Sequence, residues 1–253
     1  MSGSQAAAVP AVLTPEWRAP PAVHAAFTLR GGGVSTAPYD SLNLGAHVGD
    51  SPAAVAENRR RVRARLNLPA EPAWLEQVHG TRVADLDAPG EAGAAPADAV
   101  ISRRAGRVCA VQVADCMPVL LAAGDGSAVA VAHAGWRGLA AGVLEATVAR
   151  LGVAPHELIA WLGPAICARH FEVGGEVRAA FLDADPDASA AFTTNARGRW
   201  QCDLATLARR RLAALGLREI SGGSSCTYAD PARFFSYRRD GRCGRMAALI
   251  WLE

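Results

Sequence analysis

The apolar positions of this chain fall into short runs separated by glycine, proline and aspartate. Val23–Leu29 alternates weakly and predicts a strand, which runs into the loop Arg30-Gly31-Gly32-Gly33. Ser51 and Pro52 predict a helix start, with Ser51 as cap and Pro52 at the first helical position; Asn58 to Leu66 continues it. Ala73–Val78 reads as a short strand that delivers His79 at its end. Asp98–Ser102, Val108–Val113, Val119–Ala123 and Ala128–Ala132 are four further strands, the last two joined by a hairpin turn at Gly124-Asp125-Gly126-Ser127.

After His133 the stretch Gly135–Gly138 turns into a helix over Leu139–Leu151, closed by Gly152. Leu158–Leu162 is a strand ended by Gly163-Pro164. Gly175–Leu182 and Asp203–Leu215 read as helices, and Met246–Leu252 as a terminal strand. Strands beside strands, interrupted by isolated helices without regular βαβ alternation, predict an α+β fold with mixed β-sheets. Residues 1–22, rich in Ala, Ser and Pro, are expected to form a flexible tail, and 23–253 a single catalytic domain.

Composition narrows the function. With 51% hydrophobic and 20% charged residues in 253, a packed core is affordable. A net charge of +2 gives no electrostatic case for nucleic acid or an anionic membrane. All 26 basic residues are arginine, which excludes a Schiff-base lysine or a P-loop lysine. No apolar stretch is long enough to span a bilayer, and the N-terminus lacks the layout of a signal peptide. The six cysteines are too sparse for a disulfide scaffold, so free thiols in a reducing cytoplasm are expected.

Three segments carry chemistry: Gln77-Val78-His79-Gly80, Ala114-Asp115-Cys116-Met117-Pro118 and His133-Ala134-Gly135-Trp136-Arg137-Gly138. Each sets one soft or borderline metal ligand (His79, Cys116, His133) at the end of a regular element. A thiolate and two imidazoles suit Zn²⁺, with copper as the lesser alternative, and only three ligands leave a coordination position open. No CxxC, HExxH or HxH pair is present, so spacing alone does not demand a metal. The competing readings are a turn histidine at His79, a small buried hydrophobe at Cys116 and a satisfied core histidine at His133. The Ala-Gly after His133 admits close approach of another group, and Met117-Pro118 makes a bend that presents the sulfur. Asp115 is placed to accept a hydrogen bond, carry a proton or cap a turn.

The same segments resemble the YfiH-type laccase-domain family. The resemblance also includes Arg30-Gly31-Gly32-Gly33-Val34-Ser35, Ser41-Leu42-Asn43-Leu44-Gly45, His47-Val48-Gly49-Asp50, Ala97-Asp98-Ala99, Leu162-Gly163-Pro164-Ala165-Ile166, Phe171-Glu172-Val173-Gly174 and Phe234-Phe235-Ser236-Tyr237-Arg238-Arg239-Asp240-Gly241. It runs in order from about residue 23 to the C-terminus. It implies one zinc held by His79, Cys116 and His133. It also implies phosphorolysis of adenosine, inosine and S-methyl-5′-thioadenosine, together with adenosine deamination. Cys167 stands where glycine is common in the family and Cys243 where threonine is, which argues against a ligand role for either.

On that reading the partners are purine nucleosides and phosphate, and the chain is a monomer or homodimer. Asp115 or Glu76 moves the protons, because the HxE…PCxxC deaminase signature is missing. Arg59, Arg238 and Arg239 are expected to hold phosphate, with Arg30 and Arg137 behind them; surface ion pairing is the competing role for each. Asn43 is a ribose contact or an Asx turn, and Tyr237 a stacking ring for the base. Two other classes compete: a cysteine hydrolase with Cys116 as nucleophile and a histidine base, and a non-enzymatic metal-binding accessory protein acting on cell-wall precursors. A fourth ligand from Cys226, His47 or His170 would close the metal site and favour the latter. Polyphenol oxidation by a multi-copper centre is discounted, since the chain has 6 histidines and no His-x-His pair.

Overall fold

A computed structural model describes residues 10–90 and 96–253. In chain order the strands are β1 (Val12–Leu13), β2 (Val23–Thr28), β3 (Ala73–Trp74), β4 (Val83–Asp85), β5 (Ala99–Ser102), β6 (Val108–Val113), β7 (Met117–Ala123) and β8 (Val129–Ala134). They continue with β9 (Leu158–Leu162), β10 (Glu172–Val173), β11 (Phe192–Thr194), β12 (Trp200–Cys202), β13 (Glu219–Gly222) and β14 (Met246–Leu252). The α-helices are α1 (Pro52–Leu66), α2 (Trp136–Ala141), α3 (Val143–Leu151), α4 (Gly175–Leu182), α5 (Leu204–Leu215) and α6 (Tyr237–Asp240).

Two mixed sheets make the core. One runs β1-β2-β14-β6-β3 and the other β13-β9-β7-β8-β5-β4, with a small third sheet β10-β12-β11 at the side. Strands β5 to β9 and β14 divide their residues between two cores by the period-2 alternation of the pleat. Val100, Leu120 and Val131 pack against Val111, Ala248 and Phe27 between the sheets. Ile101, Val119, Leu121 and Leu162 face away, onto Leu144 and Val148 of α3 and Leu207 of α5. Val108, Ala110 and Leu249 face the opposite way, onto Leu42, Leu44 and Val62 of α1. The result is a helix–sheet–sheet–helix stack. Strands covered on both faces read as unbroken apolar runs, which is why β6, β7 and β14 were visible in the sequence. Each large apolar side chain so buried contributes roughly 1.5–3 kcal/mol.

The α+β expectation holds, with local corrections. The tail expected over 1–22 enters the fold by Pro10: Val12 and Leu13 pair with Thr28 and Phe27 as an edge strand, and Trp17 packs on the inter-sheet core. Residues 1–9 of that tail lie outside the described residues. The single helix expected over Leu139–Leu151 is two, because Gly142 adopts φ +99° as the C-cap of α2 and the N-cap of α3. The strand expected over Ala73–Val78 stops at Trp74, and the chain to His79 is irregular. Met117-Pro118 lies inside β7, so the bend that presents Cys116 is one step earlier, at Asp115, where φ is +90°. Asp203 caps α5 by accepting from Thr206 N at 3.0 Å, whereas Ser51 makes no side-chain cap bond to α1. Among the described residues no helix is long and apolar enough to cross a membrane.

Candidate metal centre and cavity

The topology brings the three proposed ligands to one end of the sheet pair. The irregular segment after β3 carries His79, the turn between β6 and β7 carries Cys116, and the end of β8 carries His133, whose register partner is Pro118. Their ligand atoms all lie within 4.8 Å of one another. Cys116 Sγ is 3.7 Å from His79 Nε2, and the rings of His79 and His133 meet edge to face with centroids 4.8 Å apart. Tetrahedral Zn²⁺ bonds to sulfur and nitrogen imply a sulfur–nitrogen separation of about 3.5 Å, so the donors already stand near coordination distance. Gly135 makes this possible: a Cβ there would sit 2.9 Å from both Cys116 Sγ and His79 Cδ2.

One residue organises the centre, and sequence reasoning assigned it no role. Asp98 is fully buried and its Oδ1 accepts from His133 Nδ1 at 2.8 Å, leaving His133 Nε2 to face the other two ligands. The same carboxylate accepts from the backbone N–H groups of Val78, His79 and Gly80 at 3.1, 2.9 and 2.7 Å, which holds His79 at its φ of +61°. Burial works against the Asp98 charge, but the bonds from His133 and from the Gly80 and Val78 amides outweigh it and keep the carboxyl below its usual range. Its signal in the sequence was a buried Asp between alanines, with nothing to say which partner it met.

The electrostatics favour a thiolate. Burial alone would raise the Cys116 thiol, but the fields and hydrogen bonds of His133 and His79 outweigh it and bring its pKa down to about 6. Burial would lower His133, but the Cys116 sulfur and Asp98 raise it to about 9. Without a cation the pair is therefore thiolate and imidazolium at neutral pH; with one, the imidazolium proton is displaced.

The ligands open onto a cavity of about 470 Å³, within the range of about 300–1,000 Å³ typical of small-molecule sites. No fourth His, Cys, Asp or Glu among the described residues joins the three-ligand group. His47 lines the cavity outside the group, while His170 and Cys226 belong to a separate cluster. The cavity is lined by Arg137, Arg238 and Arg245, and none of these has a carboxylate partner among the described residues. Arg137 stacks on Trp136, Arg238 lies over Phe171 and Arg245 over Tyr237, at 4.5, 5.1 and 5.8 Å from the ring centroids. Tyr237 is 60% exposed at the rim.

Other expected site residues are elsewhere. Glu76 is exposed and its side chain does not line the cavity; Gln77 does, paired with the Gln112 backbone through bonds of 2.9 and 2.7 Å. Arg59 donates twice to the Leu44 carbonyl and stacks on Trp74. Arg239 donates to the carbonyls of Thr227, Tyr228 and Phe234 and pairs with Asp240, bracing a loop. Arg30 pairs with Asp40 and bonds the Pro231 carbonyl. Asn43 is buried in the Asx arrangement, accepting from Gly45 and Arg245 N–H. None of these four lines the cavity; Arg238 and Arg245 also bond backbone carbonyls, of Glu172 and of Cys243 and Gly244, but they do line it. Asp115 does line it, but its oxygens accept from Thr227 Oγ1 at 2.6 Å and Arg238 N at 2.7 Å. Two residues escaped notice as cavity groups, Arg245 and Gln112, and His47, expected only as a possible fourth ligand, lines the cavity instead. Burial lowers the His47 pKa, helped by the positive charges of Arg245, Arg59 and His133, so its ring is neutral at pH 7.

Fold and site define a metal-binding α+β domain with a cavity that three arginines enter. Residues 24–253 match the family described as multi-copper polyphenol oxidoreductase laccase, and the chain belongs to that family. It is 54% identical over 242 residues to purine nucleoside phosphorylase PA4543 of Pseudomonas aeruginosa, covering 95% of this chain and 98% of that protein. It is equally similar, at 54% over 242 residues and the same coverage, to purine nucleoside phosphorylase YfiH of Escherichia coli. The crystal structure of Neisseria meningitidis protein NMB0706 superposes with a TM-score of 0.91 at 48% identity, covering 96% of this chain and 99% of that one. YlmD from Geobacillus stearothermophilus superposes at 0.86 with 32% identity, covering 92% and 93%.

Proposed function

We propose that this chain is a zinc-dependent purine nucleoside phosphorylase acting on adenosine, inosine and S-methyl-5′-thioadenosine, with adenosine deamination at the same centre. The observation that carries the reading is the junction of an open His79–Cys116–His133 centre with three arginines that lack acidic partners. The donor set of two imidazoles and one thiolate fits zinc, and the carboxylate behind His133 fixes the nitrogen it offers. A bound zinc would supply Lewis-acid polarisation of a substrate oxygen or nitrogen.

In phosphorolysis a phosphate oxygen forms a bond to ribose C1′ as the C1′–N9 bond breaks. The bond's electron pair leaves with the purine, which then takes up a proton. Arg137, Arg238 and Arg245 neutralise and orient the phosphate, and their stacks on Trp136, Phe171 and Tyr237 hold the guanidinium planes in place. Ile166, Phe171 and Tyr237 offer apolar and aromatic surface to the base. Neutral His47 and the Gln112 side chain, whose Oε1 is buried without a partner, supply acceptors at the cavity wall. Asp115 positions: by accepting from Arg238 N it fixes the start of α6 against the ligand turn.

The test is incubation of metal-quantified protein with adenosine, with and without phosphate. Adenine released only with phosphate shows phosphorolysis, and inosine formed without phosphate shows deamination. Neither product from zinc-loaded protein refutes the reading.

A further inference from the structure

A second cluster of soft ligands lies outside the cavity just described. Cys167 and His170 are three residues apart in one turn, closed by bonds from the His170 and Phe171 N–H groups to the Cys167 carbonyl at 2.9 and 3.0 Å. Cys226 comes from the segment after β13, which forms a parallel bridge with Ala165. His170 Nδ1 is 3.4 Å from Cys167 Sγ and 3.6 Å from Cys226 Sγ. All three ligand atoms lie within 4.8 Å of one another. Bonds of about 2.3 Å to sulfur and about 2.05 Å to nitrogen at tetrahedral angles require a sulfur–nitrogen separation of about 3.5 Å, and both observed distances bracket it.

The surroundings are built for such a site. His170 stacks on Tyr228 with centroids 4.4 Å apart and planes at 16°, which fixes the ring with Nδ1 toward both sulfurs. The Cys167 N–H donates to Cys226 Sγ at 3.3 Å, which holds that sulfur beside the turn. The cluster borders a cavity of about 400 Å³, so a fourth position is open to solvent. Asp203 also lines that cavity, but its carboxylate is committed to Thr206 as the cap of α5. A Cys167–Cys226 disulfide would leave His170 outside the bonded pair. Contacts from both sulfurs to one imidazole nitrogen fit a common central cation instead.

We propose that Cys167, His170 and Cys226 form a second zinc site, with water as the fourth ligand, which braces one wall of the first cavity. The bracing path is short. Ile166, next to Cys167, donates its N–H to the Asp115 carbonyl at 3.0 Å, and Thr227, next to Cys226, donates its hydroxyl to the Asp115 carboxylate. A ligand role for Cys167 runs against the expectation, drawn from the glycine common at its position, that it is no ligand.

The test is metal stoichiometry of the full chain purified under reducing conditions with zinc supplied. Two zinc ions per chain are expected in the wild type, one in Cys226→Ser, one in Cys116→Ser and none in the double variant. Cys167→Gly, a residue the turn accepts, is expected to lose the same ion should Cys226→Ser fold poorly. With cobalt, the sulfur-to-metal absorption has three thiolate contributors, so Cys167→Gly/Cys226→Ser loses about two thirds of it and Cys116→Ser about one third. One zinc per wild-type chain, unchanged by Cys226→Ser or Cys167→Gly, overturns the proposal. So does a Cys167–Cys226 disulfide found in place of metal.

Discussion

The two His/Cys clusters differ in what stands behind the ligands. Behind His133 is a buried carboxylate, Asp98, which also gathers three consecutive backbone amides around His79. Behind His170, among the described residues, is the face of Tyr228 and no carboxylate. The first cluster has one sulfur and faces arginines; the second has two sulfurs and faces the cap of α5. A carboxylate behind an imidazole raises ligand basicity and fixes geometry for chemistry, whereas extra thiolates add holding strength. Orientation, more than donor identity, separates a reacting centre from a brace.

That contrast can be broken by substitution, and the largest effect belongs to the first cluster. His133→Ala removes a ligand, and turnover is expected to fall by about 10³-fold or more, since metal polarisation is worth several kcal/mol; product assay beside metal analysis checks it. Cys226→Ser, by comparison, should leave the first metal in place.

The arginines give the next effect. Arg238→Ala should raise the KM for phosphate by about 10- to 100-fold, the equivalent of one charge-assisted hydrogen bond of about 1.5–3 kcal/mol. Arg239→Ala should leave that KM unchanged and lower the melting temperature, because it strands three carbonyls in a loop. A matching KM change in both would erase the distinction between cavity and bracing arginines.

Asp98→Asn should weaken metal affinity by about 10- to 100-fold, read by chelator competition. Taken per unit, the smallest step is that of pH. In the metal-free protein His133 is raised to about 9 and Cys116 lowered to about 6. Between those values the sulfur is already ionised and only the imidazolium proton must leave. Metal affinity should therefore climb about tenfold per pH unit from about 6 to about 9, twice as steeply below 6, and level off above 9. A pH-independent affinity over that span contradicts the coupled pair.

How much of this the sequence disclosed follows from how local each feature is. His79, Cys116 and His133 were legible because glycine, aspartate and proline mark the ends of strands, and ligands at strand ends converge when the strands share a pair of packed sheets. β6, β7 and β14 were legible because burial on both faces leaves no polar alternation. Arg245 was not: it reaches the cavity because β14 runs antiparallel beside β6, with Met246 opposite Val113, a register no local pattern reveals. Arg239 and Arg30 misled for the converse reason. A motif shows that an arginine is present but not which carbonyls the returning chain will turn toward it. Cys167 and Cys226 meet only through the bridge at Ala165, 59 positions apart.

The decisive measurement is adenine release from adenosine with phosphate, by protein stripped of metal and then given back two equivalents of zinc per chain. Activity lost on stripping and restored by zinc, in the wild type but not in Cys116→Ala, is the expected result. Full turnover by metal-free protein, ended by alkylation of Cys116, would instead make that sulfur the nucleophile and remove the metal from the chemistry.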